Sequence, residues 1–269
     1  MSAAGLLPPV LLIGGGRMGG AMLAGWQERG LAPSVVVDPA PGAAVLATDG
    51  VQVVASVDAV PPVFEPQAVV LAVKPQQADA AAPGLARFEG AVMLSIMAGR
   101  TVAGLQRLLG SGTVVRAMPN TPAAIRQGIT VAFAAPGVDS GQRALCDALL
   151  RSVGEVAWVD DEGLIDAVTA VSGGGPAYVF LLAELLERAA AEQGIPADLA
   201  RRLARVTVSG SGALLAASTE DAAALRVAVT SPSGTTERAL AVLMADGAWP
   251  ALVSRAIRAA TLRSRELAG

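Results

Sequence analysis

A short apolar run at residues 10–13 breaks at once into Gly14-Gly15-Gly16-Arg17-Met18-Gly19, and helical spacing takes over at 21–29. Few folds accept a strand, a G-x-G-x-x-G turn and a helix in that order. The glycines allow a tight turn and a close backbone approach to a pyrophosphate, whose charge then lies on the helix N-terminus. Further apolar runs at 35–37, 68–73, 92–96 and 114–117 are separated by Ala-rich stretches of helical spacing. They lack polar alternation, so each strand is expected to be covered on both faces, the mark of a parallel sheet with helices on either side. A further strand pair is expected at 129–133 and 155–159. For residues 1–160 the sequence therefore predicts an α/β domain, with a Rossmann-like, doubly wound, mainly parallel sheet that binds a dinucleotide.

After the acids Asp160, Asp161 and Glu162, which suit the positive end of a helix starting near Gly163, the strand signal stops and residues 161–269 read as helix after helix. Helices are predicted at 176–193, 199–217, 233–245 and 248–267, several of them Ala-rich and apolar on more than one face. The chain is 53% hydrophobic and 16% charged, with mean hydropathy +0.53. That is more apolar surface than a monomer of 269 residues readily hides. This second, all-α domain is accordingly expected to bury its helices against another subunit.

Two absences narrow the chemistry. There is no histidine, and Cys146 is the one cysteine. Imidazole bases, His-ligated metals, Ser-His-Asp and Cys-His catalysis are excluded, as are an internal disulfide and a CxxC couple. No metal site is expected, and the thiol content points to the cytoplasm. With a formal net charge of −3 the chain lacks the basic excess a nucleic-acid partner requires. Residues 1–9 lack the positive charge of a secretory signal. The apolar stretch 177–186 contains Glu184, is followed by Glu187 and comes directly after three glycines and a proline, so no membrane span is expected.

Other residues stand where chemistry needs them. Asp38 ends the second strand nineteen residues after Gly19. An acid there accepts hydrogen bonds from the adenosine ribose and repels a 2′-phosphate, which favours NADH over NADPH. A turn aspartate before Pro39 is the alternative, and Arg17 is placed to offset it by pairing a phosphate. Lys74 closes Ala72-Val73-Lys74-Pro75 at the carboxyl edge of the sheet and is the only lysine beside 19 arginines. A compact ammonium is thus called for here, unless the lysine is a chance survivor on a solvated loop. Met118-Pro119-Asn120-Thr121-Pro122 makes a rigid loop at the same edge, and Asn120 both donates and accepts. In the helical part, Ser172-Gly173-Gly174-Gly175-Pro176-Ala177-Tyr178 is either a crossing of close-packed helices or a ligand loop. Thr230-Ser231-Pro232-Ser233-Gly234-Thr235-Thr236-Glu237 opens a helix with hydroxyls and free N–H groups, a carboxylate site as well as an N-cap.

Taken in order, the glycine turn, Ala72-Val73-Lys74-Pro75-Gln76, Met118-Pro119-Asn120-Thr121-Pro122, residues 166–178 and residues 229–236 resemble the pyrroline-5-carboxylate reductases over nearly the whole chain. The resemblance implies reduction of the cyclic imine 1-pyrroline-5-carboxylate to L-proline by NAD(P)H. It also implies a Rossmann domain, and a helical domain that dimerises by intertwining, often within a ring of dimers. Carried over by motif position, Ile13, Gly14, Gly15, Gly16, Arg17, Met18, Ala72, Val73, Lys74, Pro75, Met97, Ala98 and Gly99 would contact the cofactor, to which the reading of the turns and strand ends above adds Gly19, Asp38 and Asn120. Glu162, Ser231, Gly234, Thr235 and Thr236 would hold the substrate, with Thr236 and Lys74 as the catalytic candidates. Backbone N–H groups near Thr235 and Thr236 would receive the carboxylate, and the Thr236 hydroxyl would tend the ring nitrogen. Four positions depart from the family pattern, Asp38 among them, standing where phosphate-accepting relatives tend to carry small hydroxyl residues, which again implies NADH. Gly174 replaces a serine and Ser233 a glycine, changes expected to leave the loops intact. Ala228 stands where relatives often have a polar residue, so one substrate contact is either missing or supplied by Arg226 or water. A hydroxyacid dehydrogenase of similar layout would need a lysine or histidine base in the helical domain, which has neither. A non-catalytic nucleotide-binding regulator would have no use for the intact 231–236 segment.

Overall fold

The computed structural model describes residues 6–268. The leader reading over residues 1–9 therefore falls partly outside the described residues. The strands are β1 (Val10–Ile13), β2 (Ser34–Val37), β3 (Val51–Val54), β4 (Ala68–Leu71), β5 (Val92–Ser95), β6 (Val114–Met118), β7 (Gly128–Ala134) and β8 (Gly154–Trp158). The α-helices are α1 (Arg17–Glu28), α2 (Ala78–Ala81), α3 (Val102–Leu109), α4 (Ser140–Leu150), α5 (Leu164–Val168), α6 (Gly175–Glu192), α7 (Ala197–Ala217), α8 (Ala222–Ala228), α9 (Thr235–Leu243) and α10 (Trp249–Ala268).

All eight strands form one sheet in the order β3-β2-β1-β4-β5-β6-β7-β8. β1 to β6 are parallel, β7 turns back antiparallel to β6, and β8 pairs parallel with β7. The doubly wound, mainly parallel sheet predicted from the apolar runs is thus the observed one. The order reverses between β1 and β4, and the crevice outside their carboxyl ends is where such sheets take ligands. Each face of the sheet carries its own apolar cluster. One packs Trp26, Leu12, Val70, Leu94 and Leu149 together, the other Leu11, Val69, Met93, Leu85 and Leu105. Trp26 satisfies its indole N–H on the Leu149 carbonyl at 2.9 Å, which ties α1 to α4.

Some local expectations fail for identifiable reasons. α1 begins at Arg17 rather than residue 21, because the helix runs through Gly19 and Gly20 that propensity disfavours. β3, whose residues 52–54 are not fully buried, goes unanticipated. Proline-bounded 3₁₀ turns at Pro41–Leu46 and Pro75–Gln77 take the place of full helices between strands.

Cys146 lies fully buried on α4, and burial pushes its thiol from 9.0 up to about 12. Ellman's reagent at pH 8 should therefore titrate no thiol in the native protein and one after denaturation. The folded state keeps this proton while the unfolded state loses it above pH 9, so the thiol's contribution to stability is present below 9 and declines as pH rises towards 12. Rapid labelling of the native protein would contradict the burial.

The chain divides into two compact units, one reaching to Gly173 and regaining the stretch from Ala260 on, the other Gly174–Ala259. The strands end at Trp158, and α5 belongs to the first unit. Among the described residues of the second unit only Ala200 and Ala204 are buried, while Phe180, Val206, Val227 and Val242 are exposed. Leu164–Glu192 is long and apolar enough to cross a membrane by length and composition, with mean hydropathy 1.3.

Candidate active site

In the first unit the turns after β1, β2, β4, β5 and β6 share one edge of the sheet, because those strands are parallel. The turn after β1 is shaped by what a side chain would hit. Gly14 has φ +98°, and a Cβ there would lie 2.9 Å from the Ala72 carbonyl, so the turn abuts the segment after β4. A Cβ on Gly19 would overlap the Gly14 carbonyl oxygen. Gly16, the N-cap of α1, has nothing within 4 Å of its missing Cβ. The cap takes no side-chain hydrogen bond, and Gly20 N–H is bonded to the Gly16 carbonyl at 2.7 Å. An open helix start with unspent N–H groups and the exposed Arg17 beside it fits a dinucleotide pyrophosphate.

Asp38 reaches this turn directly: one carboxylate oxygen accepts Gly15 N–H at 2.7 Å, the other Ala40 N–H at 2.9 Å. No lysine or arginine lies between residues 39 and 57 to receive a 2′-phosphate. Lys74 is exposed at the start of the Pro75–Gln77 turn. Arg100 donates to the Pro75 carbonyl at 2.9 Å and to Asp79 at 3.1 Å, which joins the turn after β4 to that after β5. In the latter, Met97 and Gly99 are buried, Ala98 is partly exposed, and Gly99 adopts φ +66°. Thr101 caps α3 by accepting Gly104 N–H at 3.2 Å.

Asn120 is occupied on both sides of its amide, accepting Ile129 N–H at 3.0 Å and donating to Ser172 Oγ at 3.2 Å. It therefore holds the proline loop to the glycine-rich break. A Cβ on Gly173 would lie 2.7 Å from the Met118 methyl, the flexible end of a side chain that would have to turn aside. Glu162 is engaged as well: its Oε1 accepts Val102 N–H at 2.7 Å and the Arg116 guanidinium at 2.8 Å. Arg116, Asp166, Ser264 and Arg100 were missed from sequence. Arg116 alone left a signal, a lone charge inside the apolar run of β6.

In the second unit the 230–237 loop leads into α9. Gly234 is its N-cap without a side-chain bond, and Ser231, Thr235 and Thr236 are exposed around the helix start. Ser233, expected to substitute harmlessly for glycine, stands at φ +59°, where a Cβ is strained. Its N–H donates to the Glu237 carboxylate at 2.7 Å, a bond that holds the turn. Arg226 points its guanidinium at the Met244 sulfur, 2.6 Å away.

Comparison with known proteins places these features in context. Residues 162–267 match a family model described as pyrroline-5-carboxylate reductase dimerisation, and residues 9–99 one described as NADP oxidoreductase, coenzyme F420-dependent. The chain is 40% identical to the pyrroline-5-carboxylate reductase of Pseudomonas aeruginosa over 268 residues, 97% of each chain. A pyrroline-5-carboxylate reductase structure from Coxiella burnetii superposes with TM-score 0.88 at 34% identity, covering 97% of this chain and 98% of that one. The Plasmodium falciparum pyrroline carboxylate reductase with NADP bound gives TM-score 0.80 at 25% identity, over 97% and 99%.

Proposed function

This chain belongs to the pyrroline-5-carboxylate reductase family, and on that premise we propose how its residues reduce 1-pyrroline-5-carboxylate to L-proline. It is an NAD(P)H-dependent oxidoreductase of proline biosynthesis, and the family carries NADP binding. The observation that carries the reading is the glycine cradle: Gly14, Gly16 and Gly19 shape an anion-ready helix start in a chain that matches a reductase from end to end. When bound, the reduced dinucleotide supplies the hydride.

The residues of the chain do the rest by holding and orienting. Gly14, Gly15, Gly16, Met18 and Gly19 offer backbone to the pyrophosphate, with Arg17 as counter-charge and Ile13 beneath. Ala72, Val73, Pro75, Met97, Ala98 and Gly99 form the walls for the nicotinamide end, the loop of Asn120 bounds it, and Lys74 adds a compact ammonium. Ser231, Gly234 and Thr235 receive the substrate carboxylate at the start of α9. The Thr236 hydroxyl keeps the proton on the ring nitrogen while the adjacent carbon takes the hydride. Glu162 borders the substrate while its Oε1 is spent on Val102 and Arg116. The exposed apolar faces of the helices of the second unit are assigned to contact with a second copy of the chain. The assembly proposed is a dimer or a ring of dimers, placed in the cytoplasm by the thiol content alone.

NADH is the preferred reductant in this reading, since Asp38 meets the ribose with a carboxylate and residues 39–57 offer no cation. The test is the initial rate of pyrroline-5-carboxylate reduction with each cofactor. A kcat/KM about tenfold higher with NADH is expected. Preference for NADPH would discard the role of Asp38 and keep the reductase, whereas no turnover with either would overturn the functional reading.

A further inference from the structure

We infer that Arg116 and Ser264 are positioning residues for the cofactor turn at residues 97–102, an inference that rests on the proposed role of Met97, Ala98 and Gly99. The argument begins with a burial that apolar packing does not explain. β6 places Arg116 in the middle of the sheet with 3% of its side chain exposed. A buried guanidinium is costly unless paired, and pairing it rarely stabilises a fold more than apolar residues of the same size would.

The pairing is directional. Arg116 donates to Glu162 Oε1 at 2.8 Å and lies 3.6 Å from Asp166 Oδ1, so one cation serves two carboxylates. Its Nε is buried without a partner among the described residues, a mark of a cluster kept for its geometry rather than for stability. Glu162 Oε1 also accepts Val102 N–H, the first residue of α3, where a carboxylate is further favoured by the helix dipole. Asp166 accepts the buried Ser264 hydroxyl at 2.7 Å. Three residues beyond Ser264 on α10, Leu267 lies over Gly99, its Cβ 3.1 Å from where a Gly99 Cβ would be.

The turn is therefore held at three points: at Gly99 by the α10 end that Ser264 anchors, at Arg100 by the Pro75 carbonyl, and at Val102 by Glu162. Arg116 is the common neighbour of both carboxylates, which makes the outer holds depend on one buried charge.

The test uses Ser264→Ala, which removes one hydroxyl and adds no bulk, and Arg116→Met against Arg116→Lys. Amide hydrogen exchange of the 96–102 segment is measured in the cofactor-free protein, and NADP⁺ affinity by titration of intrinsic fluorescence. Faster exchange in that segment, unchanged exchange at 11–20, and roughly fivefold weaker NADP⁺ binding are expected for Ser264→Ala. KM for the imine should stay unchanged, and Arg116→Lys should recover part of what Arg116→Met loses. A fall in thermal stability with exchange and affinity both unmoved would overturn the inference, as would a wild type that binds neither NADP⁺ nor NAD⁺. A wild type that binds NADP⁺ but does not reduce the imine, with the variant effects intact, would remove the reductase reading and leave the positioning role standing.

Discussion

Gly19→Ala is expected to lower NADP⁺ affinity by roughly a hundredfold, near the upper range for overpacking at a site that cannot relax. The added methyl would overlap the Gly14 carbonyl oxygen, which is backbone and cannot rotate away. Either α1 moves off the sheet or the turn at Gly14 opens, and both change the place where a pyrophosphate would meet the helix. The neighbouring residue makes the control. A Cβ on Gly20 would meet the Gly15 carbonyl oxygen at 3.4 Å, ordinary contact, and alanine within a helix is favoured over glycine by about 1 kcal/mol. Gly20→Ala should thus bind NADP⁺ like the wild type and melt at the same or a higher temperature. Equal affinity in the two variants, measured by calorimetry, would show that the glycine turn does not form the pyrophosphate cradle.

The contrast between those two glycines also shows what a sequence carries and what it does not. The apolar runs that became β1, β4, β5 and β6 were legible because each strand's core positions are contiguous in the chain. The antiparallel turn of β7 was not legible, since strand direction depends on pairing across space. The same limit hid the charged cluster. Arg116 meets Glu162 across 46 residues, and Asp166 meets Ser264 across 98, so neither spacing resembles a motif. For Asn120 and Glu162 the sequence marked the right edge of the sheet, but their hydrogen-bonding atoms are already committed to loops and to α3. Ser233 is the reverse case. A serine for glycine looks neutral as a string, and only the structure shows it at a φ of +59°, in the region that favours glycine.

Thr236→Ala is expected to lower kcat by roughly 10 to 1000-fold, the range usual for positioning and proton handling. Thr236 is exposed in the first turn of α9, and alanine is the better helix former, so the variant should fold and its melting temperature should hold. Its affinity for NADP⁺ should hold as well, since the cofactor cradle is built from the turns of the parallel sheet. The deficit should therefore fall on the chemical step, with KM for the imine little changed because the carboxylate is assigned to backbone N–H groups that the substitution leaves in place. Thr236→Ser, which keeps the hydroxyl, should recover most of the rate. A kcat unchanged in the alanine variant would take Thr236 out of the reaction. In a chain without histidine, whose helical part has no lysine either, the nitrogen's proton would then have to be held by solvent. The rate would follow the protonation of the imine in bulk water, with the protein contributing only the alignment of the two reactants.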